Sequence, residues 1–500
     1  MVQVLSTLLL VEKKSKQPVY LQIANQLMAL IRNGTLQTGY RLLSTRQLAT
    51  LLQVHRRTVV QAYDELLAQG WLESHTGNGT FVAKHLPEIE FSHKHHGTEK
   101  ALLPAQKAGF NFNQLPHLDR AILRSNTRLH LDDGFPDPRL APLEDLSRAY
   151  RSQLLGGNPY SRLGYGDTKG SSWLRQELSG YLNETRGMKT LPENILIVRG
   201  VIMGLYLVST ALLQPGDNVV VDAPGWFGAS MNISQAGANL VRVPVDEHGI
   251  DVAALEQICQ KQTIRMIYVT SHHHYPTTVA LRADRRLNLL KLAEQYRFII
   301  FEDDYDCDFH YLSKPLMPLA GADPAGMVMY CGSFTKTISP AFRVGYLVGP
   351  ADVITYLAKL RRIIDRQGDQ MLENAIAELL HTGVIQRHLR KSVRIYKQRR
   401  DLFCDLLRSE LGEYVKFQVP DGGMAVWTQF NPDINLIKLA EKALQQDLYM
   451  SNGTSGIPKG NGFVEPLNSS IRLGFASSNA DELKESVEII RNLLGNLHAN

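Results

Sequence analysis

The sequence predicts an α/β protein in which a parallel sheet wrapped in helices follows a small, mainly helical N-terminal domain. From Leu131 onward, helical and strand-like segments alternate, which is typical of a parallel sheet covered by helices. Before that, three helical segments lead to two short strand-like stretches on either side of a glycine-containing turn. A chain of 500 residues, 44% of them hydrophobic, can form two or three domains with a large core.

The composition argues against secreted and membrane proteins. The four cysteines are scattered without the spacing of a metal site or a disulfide framework. The apolar run near the N-terminus is short, and lysines follow it instead of preceding it, unlike a secretory signal. No stretch approaches the length of a membrane span. We therefore expect a cytoplasmic protein without a membrane partner.

Positive charge is concentrated at the start of the chain. Residues 1–84 contain nine Lys or Arg and four Asp or Glu, a net charge of +5. This equals the formal net charge of the whole chain, so the remainder is balanced. Such an asymmetry indicates a polyanionic partner for the first segment.

The first 84 residues are predicted to form a winged helix-turn-helix. Apolar residues recur at helical spacing over 20–31. Ser44 and Gln47 form a Ser-x-x-Gln capping box, which starts a short second helix. A third helix ends at Gly70, and two strand-like stretches flank the turn at 76–79. Helix, short helix, turn and helix are the order of a helix-turn-helix.

This segment resembles the GntR type of winged helix in the stretches PVYLQIANQL, RTVVQAYDELLAQGWL and GNGTFV. The resemblance implies binding to double-stranded operator DNA. In the family a serine usually stands where His55 caps the third helix. An adjacent arginine pair at a helix start could also be merely solvated, but the helix dipole disfavours cations there, which argues for a bound anion. The implied DNA contacts are Ser44, Thr45, Arg46, Arg56, Arg57, Thr58, Gln61, Gly77 and Gly79.

The chain is accordingly divided into three predicted regions. Residues 1–84 form the DNA-binding domain. Residues 85–125 are polar and contain proline without apolar periodicity, as expected of a linker. Residues 126–500 form the second domain.

The second domain brings a lysine and a carboxylate to one predicted sheet edge. Lys336 follows an apolar strand at 328–331, and Asp303 follows another at 298–301. The chemistry of α/β sheets lies at the carboxyl ends of their strands. A desolvated lysine is nucleophilic and can hold an aldehyde cofactor, while a carboxylate can keep a pyridine nitrogen protonated. The pair predicts pyridoxal 5'-phosphate (PLP), with Lys336 as the catalytic residue and Asp303 as a cofactor contact.

Further residues suit the phosphate of such a cofactor. Ser333 lies three residues before the lysine, and Arg343 lies seven after it. Gly200 opens an apolar helical run beginning at Val201, and free N–H groups at a helix start bind anions. We expect these residues to hold the phosphate.

The Ser-x-x-Lys segment, EDDYD, the Gly200 turn and SIRLGFASS together resemble the fold-type I PLP-dependent aminotransferases. The resemblance implies a large α/β/α sheet with a small α+β C-terminal part. It makes Arg472 the residue that holds a substrate or effector carboxylate in a two-pronged contact. It also implies a homodimer, in which one tyrosine reaches the neighbouring subunit's phosphate. The cofactor contacts that it adds are Tyr305, Trp226, His273, Tyr275 and, across the dimer, Tyr165.

No metal is expected at the three consecutive histidines 272–274, because alternate side chains point apart. Three positions depart from the usual family pattern. Ser271 stands for a proline, Thr278 for a glycine and Ile202 for a glutamine. These changes affect side-chain contacts more than the backbone anion site at Gly200.

A GntR winged helix joined to an aminotransferase-like domain resembles the MocR/GabR family of transcription regulators. The resemblance implies a head-to-tail homodimer whose PLP-binding domain senses a small amino compound, or PLP itself, and whose winged helix binds operator DNA. The alternative is an active aminotransferase carrying an accessory DNA-binding domain, because the lysine, aspartate and arginine of transamination are all present. Whether the chain is an enzyme stays open at this point, with a vestigial or partial aminotransferase site expected.

Overall fold

The computed structural model describes residues 8–86, 107–118, 126–312, 317–453 and 469–498. The chain divides into two compact units, Met1–Asn111 and Phe112–Asn500. Most of the predicted linker lies outside the described residues. No helix in the described ranges is long and apolar enough to cross a membrane.

The N-terminal unit is the predicted winged helix-turn-helix. Apolar side chains from its helices and strands form one core cluster, which includes Leu27, Val59, Leu66, Trp71 and Val82. The two strands pair antiparallel, with Leu72 opposite Val82. Its elements are α1 (Val19–Arg32), α2 (Thr45–Leu51), α3 (Arg56–Ala68), β1 (Leu72–His75) and β2 (Gly79–Val82).

Local capping explains where the second and third helices begin. Ser44 Oγ accepts a hydrogen bond of 3.3 Å from the Gln47 amide. The Gln47 side chain in turn accepts one of 3.0 Å from the Ser44 amide, so the predicted capping box is confirmed. At the start of α3, His55 Nδ1 accepts a hydrogen bond of 3.2 Å from the Arg57 amide. His55 therefore caps α3 in the manner of the serine that it replaces.

The second unit consists of strands and helices that mostly alternate along the chain. Its strands are β3 (Leu129–Leu131), β4 (Ile195–Val198), β5 (Asn218–Ala223), β6 (Asn239–Asp246), β7 (Gly249–Ile250), β8 (Met266–Val269), β9 (Ile299–Asp304), β10 (Val328–Ser333), β11 (Gly345–Val348), β12 (Val415–Phe417), β13 (Ala425–Phe430), β14 (Leu448–Met450) and β15 (Ser470–Gly474). Its helices are α4 (Leu143–Leu155), α5 (Pro159–Leu163), α6 (Ser172–Arg186), α7 (Val201–Leu212), α8 (Phe227–Gln235), α9 (Val252–Lys261), α10 (Ala283–Tyr296), α11 (Ala351–Ile364), α12 (Gln370–His381), α13 (Val384–Leu411), α14 (Leu436–Gln445) and α15 (Ala480–His498).

Eight strands form the large sheet, in the order β4-β11-β10-β9-β8-β5-β6-β7. The neighbouring pairs from β10 to β6 are parallel, whereas β11 is antiparallel to both β10 and β4. Alternate residues of one strand face opposite sides of the sheet. Ile195 and Ile197 accordingly belong to one core cluster, and Leu196 and Val198 belong to the other. The large sheet is thus covered by apolar packing on both faces, as predicted.

Smaller sheets complete the unit. Strands β12, β13 and β15 form an antiparallel sheet, which carries Arg472 opposite Trp427. Strands β14 and β3 pair in parallel. These elements and the helices after α13 form the predicted α+β C-terminal part.

The direction of the strands decides where chemistry can occur. Because β11 is antiparallel to both of its neighbours, β4 runs in the same direction as β5, β6, β8, β9 and β10. The carboxyl ends of these six strands therefore lie along one edge of the sheet, and β11 begins at that edge. The strands also extend further than the sequence predicted, because Cys331 and Gly332 pair with Asp303 and Asp304. Asp303 is consequently part of a strand and not of the loop that follows it.

Candidate functional site

Lys336 lies three residues beyond the end of β10. Its Nζ donates a hydrogen bond of 2.5 Å to the carbonyl oxygen of Gly134 and lies 4.5 Å from the centre of the Phe135 ring. Burial lowers the pKa of Lys336, and the carboxylates of Asp133 and Asp132 partly oppose this effect. A lowered pKa favours the neutral amine, which is the nucleophilic form.

Asp303 is a buried carboxyl group with one oxygen unpaired. Its Oδ2 accepts a hydrogen bond of 2.6 Å from the Tyr268 hydroxyl, whereas its Oδ1 has no hydrogen-bond partner among the described residues. Burial raises the pKa of Asp303 to about 7, although the bond from Tyr268 acts in the opposite direction. A buried acceptor without a partner is costly. A protonated pyridine nitrogen is a donor of the kind that this oxygen lacks, so Asp303 fits PLP.

The adjacent Asp304 is held in a different environment. Its side chain lies 2.8 Å from Arg186 and 3.4 Å from His272, and Oδ2 accepts a hydrogen bond of 2.5 Å from the Tyr330 hydroxyl. Burial raises the pKa of Asp304, but the charges of His272 and Arg186 outweigh this, and the pKa is lowered. Neighbouring carboxyl groups with pKa values pushed apart are typical of functional sites. Asp304 is therefore a fixed anion, while Asp303 can change its protonation state near neutral pH.

The predicted phosphate residues come together beside the start of α7. Gly200 caps this helix with φ of +79°, in the left-handed region that favours glycine. A Cβ atom at Gly200 would lie 2.8 Å from Arg343 Nη2, which donates a hydrogen bond of 2.8 Å to the Arg199 carbonyl oxygen. Arg343 thus faces the first turn of the helix, where Val201 is the first residue.

Strand register brings Ser333 to the same place. Ser333 pairs with Gly345 across β10 and β11, and Gly345 pairs with Val198 across β11 and β4. The Ser333 hydroxyl donates a hydrogen bond of 2.6 Å to Thr335 Oγ1. A helix N-terminus with an arginine and two hydroxyl groups nearby fits a phosphate.

Trp226 lies directly before α8, after the carboxyl end of β5. Its ring centre is 6.2 Å from that of Tyr268, the residue that binds Asp303. Trp226 is half-buried against the second core cluster. It therefore packs as a core aromatic and also lies beside the tyrosine that binds Asp303.

The three consecutive histidines each contact a different aspartate. The side-chain pairs are His272–Asp304 at 3.4 Å, His273–Asp306 at 2.8 Å and His274–Asp222 at 3.1 Å. Ligand atoms of His272, Asp304 and Cys307 lie within 4.8 Å of one another. The Arg186 guanidinium beside Asp304 disfavours a cation at that cluster. These contacts favour histidine–aspartate pairs at the strand ends over a metal centre.

Two tyrosines predicted as cofactor contacts lie on loops around Lys336. The Tyr305 hydroxyl donates a hydrogen bond of 3.0 Å to the His273 carbonyl oxygen. The Tyr275 hydroxyl donates one of 2.8 Å to Asp133 Oδ2. His273 therefore contacts two other residues of the site. Its carbonyl oxygen binds Tyr305, and its side chain pairs with Asp306.

Arg472, on β15, is buried and already has an anionic partner. Its Nε lies 3.1 Å from Asp133 Oδ1, and its Nη1 donates a hydrogen bond of 3.2 Å to the Pro276 carbonyl oxygen. Burial alone would lower the pKa of Arg472, but the acidic groups of Tyr305 and Asp133 raise it above its usual value. Arg472 is therefore a permanent cation, and its charge contributes to lowering the pKa of Lys336.

Tyr165 differs from the other predicted cofactor contacts because its side chain is 78% exposed. The guanidinium carbon of Arg366 lies 3.9 Å from the centre of its ring. Its assignment to a neighbouring subunit's phosphate stays a prediction.

The predicted DNA contacts lie on two helices and the wing of the N-terminal unit. Arg46, Arg56, Arg57 and Gln61 are exposed, whereas Thr45 and Thr58 are half-buried. Arg56 Nε lies 3.4 Å from Thr45 Oγ1, which links α3 to α2. The wing turn contains Gly77 and Gly79 with φ of +81° and +108°, and exposed Ser44 caps α2.

Several residues that contribute to these sites were not predicted, among them Tyr268, Asp133 and Arg41. Tyr268 and Asp133 contact predicted residues, and Arg41 forms an isolated bridge to Phe81 in the wing. Tyr268 stood in an apolar strand, where its hydroxyl gave no signal. Asp133 and Arg41 could be identified only once the fold had brought distant segments together.

Comparisons with known proteins agree with the two units. The profile of aminotransferase class I and II matches residues 138–490, and that of the bacterial regulatory proteins of the gntR family matches residues 19–82. The chain is 28% identical over 493 residues to the probable rhizopine catabolism regulatory protein MocR of Rhizobium meliloti, covering 97% of this chain and 95% of that protein. It is 29% identical over 410 residues to the HTH-type transcriptional regulator TauR of Rhodobacter capsulatus, covering 80% and 81%.

Solved structures similar to this chain include aminotransferases. The kynurenine aminotransferase of Pyrococcus horikoshii, in complex with PMP, has a TM-score of 0.66 and 26% identity, covering 74% of this chain and 91% of that chain. LysN, an α-aminoadipate aminotransferase of Thermus thermophilus complexed with N-(5'-phosphopyridoxyl)-L-leucine, has a TM-score of 0.67 and 26% identity, covering 74% and 93%. The fold and these neighbours imply PLP dependence. The chain belongs to the aminotransferase class I and II family and carries a gntR-family domain before it, the domain combination of the MocR/GabR regulators.

Proposed function

We propose that this protein is a transcription regulator whose second unit binds PLP at Lys336 and senses a small amino compound there. The observation that carries the proposal is the buried carboxyl group of Asp303. Its Oδ1, which has no hydrogen-bond partner in the described part of the chain, lies at the same sheet edge as Lys336. The gntR-family domain binds operator DNA, since its exposed arginines suit the phosphates of duplex DNA.

Each part of the site has a separate task in this proposal. Lys336 provides an amine with a lowered pKa, and Asp303 keeps a pyridine nitrogen protonated. The start of α7 and Arg343 hold the phosphate. When bound, PLP supplies an aldehyde carbon at which a primary amine can replace Lys336. The amine of an effector would therefore face Lys336, and its far end would face Arg472 and Asp133.

A second candidate function is transamination itself. It is favoured by the presence of the lysine, the aspartate and the arginine in one site, and by the 26% identity to aminotransferases of known structure. The N-terminal domain favours the regulator. Turnover with amino donors and keto acids, compared with the effect of the same donors on DNA binding, distinguishes the two functions.

We further infer that the protein acts in the cytoplasm as a head-to-tail homodimer with regions 1–84, 85–125 and 126–500. All four cysteines are free and buried, as suits a reducing compartment. The exposed Tyr165 ring supports a subunit contact at that position. Residues 87–106 and 119–125 of the linker are not among those described.

The first prediction concerns the cofactor anchor. Full-length protein incubated with PLP should turn yellow, and borohydride reduction should leave one cofactor per chain on Lys336, as measured by peptide mass spectrometry. A Lys336→Arg protein should keep the charge but lose the label. Lys169→Arg is the matched control. The Lys169 side chain donates a hydrogen bond to Thr355, so this substitution should leave the labelling of Lys336 unchanged. Labelling of another lysine in saturated wild-type protein contradicts the proposal.

The second prediction concerns DNA binding. With a duplex selected from a random library, the logarithm of affinity should fall linearly with the logarithm of salt concentration, by about 0.9 for each phosphate contact. Replacing Arg56 and Arg57 by alanine should flatten the slope by up to about 2. Replacing Lys13 and Lys14, which are exposed outside the helix-turn-helix, removes the same charge and should have a smaller effect. Equal slopes for the arginine variant and wild type would assign DNA binding elsewhere.

The third prediction concerns pH. The pKa of Asp303 is about 7 in the folded protein and about 4 in an unfolded chain, so this group costs stability as pH rises from about 4 to about 7. In cofactor-free protein, the free energy of unfolding of wild type should therefore fall, relative to that of Asp303→Asn, as the pH is raised from 5 to 8. This fall should be on the order of 2–4 kcal/mol, measured by denaturant titration.

Asp481→Asn alters a carboxyl group that is 95% exposed and should show no such trend. PLP should stabilise wild type more than Asp303→Asn, because only the wild type offers a carboxylate to the pyridine nitrogen. A stability difference that does not change with pH means that Asp303 is ionised in the folded protein throughout.

A further inference from the structure

A carboxylate of the chain itself lies where the carboxylate of an effector is expected. Asp133 Oδ1 is 3.1 Å from Arg472 Nε, and Asp133 Oδ2 accepts the hydrogen bond of the Tyr275 hydroxyl at 2.8 Å. The next residue, Gly134, receives the hydrogen bond from Lys336 Nζ. Asp133 therefore lies between the amine that anchors the cofactor and the arginine assigned to a carboxylate.

The turn that contains Asp133 is held by hydrogen bonds to the neighbouring Asp132 and not to Asp133 itself. Asp132 Oδ1 accepts hydrogen bonds of 3.0 Å from the Gly134 amide and 2.8 Å from the Phe135 amide. Asp133 contacts the side chains of Arg472 and Tyr275 instead. Its carboxylate can thus be changed without removing the bonds that close the turn.

The two members of the Arg472–Asp133 pair differ in accessibility. The Arg472 side chain is 3% exposed, whereas that of Asp133 is 38% exposed. Among the charges around Lys336, Asp133 is also the strongest of those that oppose the effect of burial on its pKa. A ligand that arrives beside Lys336 therefore meets the carboxylate of Asp133 before the guanidinium of Arg472.

We propose that Asp133 screens Arg472 and makes the site select amines whose far end is a cation or a hydrogen-bond donor, such as diamines, over amino acids of the same length. The inference rests on the proposed function, in which an amine is sensed at Lys336. A carboxylate would have to displace Asp133 from two partners or lie beside a like charge, which is unfavourable in a partly desolvated site. A second amine would gain a charged partner.

The test uses matched ligands on the full-length, PLP-loaded protein. The probes are 3-aminopropanoate, 4-aminobutanoate and 5-aminopentanoate, each compared with the diamine of equal carbon number. Affinity is read from the absorbance change of the bound cofactor, and the effect on DNA binding is read from fluorescence anisotropy. The variants are Asp133→Asn, which keeps the shape and removes the charge, and the double variant Asp133→Asn with Arg472→Gln. Asp481→Asn is the charge-matched control at an exposed position.

We expect wild type to bind the diamine more tightly than the amino acid of equal carbon number, at the carbon number that fits the site. In Asp133→Asn, the ratio of affinities should shift towards the amino acid by at least about tenfold, and the double variant should lose this gain because the newly accessible cation is gone. Asp481→Asn should keep the wild-type ratio.

Different results would contradict the role of Asp133 and the binding of PLP at Lys336. If Asp133→Asn stays yellow and binds DNA but keeps the wild-type ratio, or if wild type prefers the amino acid, the screening role of Asp133 is wrong while the proposed function stands. A wild-type protein that takes up no PLP at Lys336 overturns the proposed function and this inference with it.

Discussion

The constraint on which the rest of the structure depends is the common edge at which six strands of the large sheet end. Strands β4, β5, β6, β8, β9 and β10 run in one direction, and the antiparallel β11 starts where they stop. This arrangement brings residues from separate segments into one place without requiring them to be close in sequence. Lys336, Asp303, Gly200 and Arg343 are all positioned by it.

Burial of Asp303 gives this edge its chemical character. Loss of contact with water raises the pKa of the carboxyl group, so the cofactor-free protein carries an unfavourable group at neutral pH. A cationic pyridine nitrogen would relieve that cost, which links cofactor binding to stability. The neighbouring Asp304 is stabilised by Arg186 and His272. Strand β9 thus carries Asp304, whose charge is fixed, next to Asp303, whose protonation can change with pH.

Local patterns in the sequence were sufficient for much of the fold. The Ser44–Gln47 capping box, the alternation of helices and strands and the glycine at the start of α7 are determined by residues a few positions apart. The contacts of Asp133 could not be predicted in this way, since Tyr275 and Arg472 lie far along the chain and meet it only through the packing of β15 against the large sheet's loops. The bond between Tyr268 and Asp303 depends on the register of β8 and β9, which periodicity alone does not define.

In the proposed function, DNA binding is controlled by the replacement of Lys336 by a primary amine at the aldehyde carbon of PLP. The most direct measurement compares the response of DNA affinity to primary amines before and after borohydride reduction of the PLP-loaded, full-length protein. Reduction makes the bond between Lys336 and the cofactor permanent, so an amine can no longer replace the lysine. The reduced protein should still bind DNA but should have lost its response to amines. An undiminished response after complete reduction would contradict the proposed function.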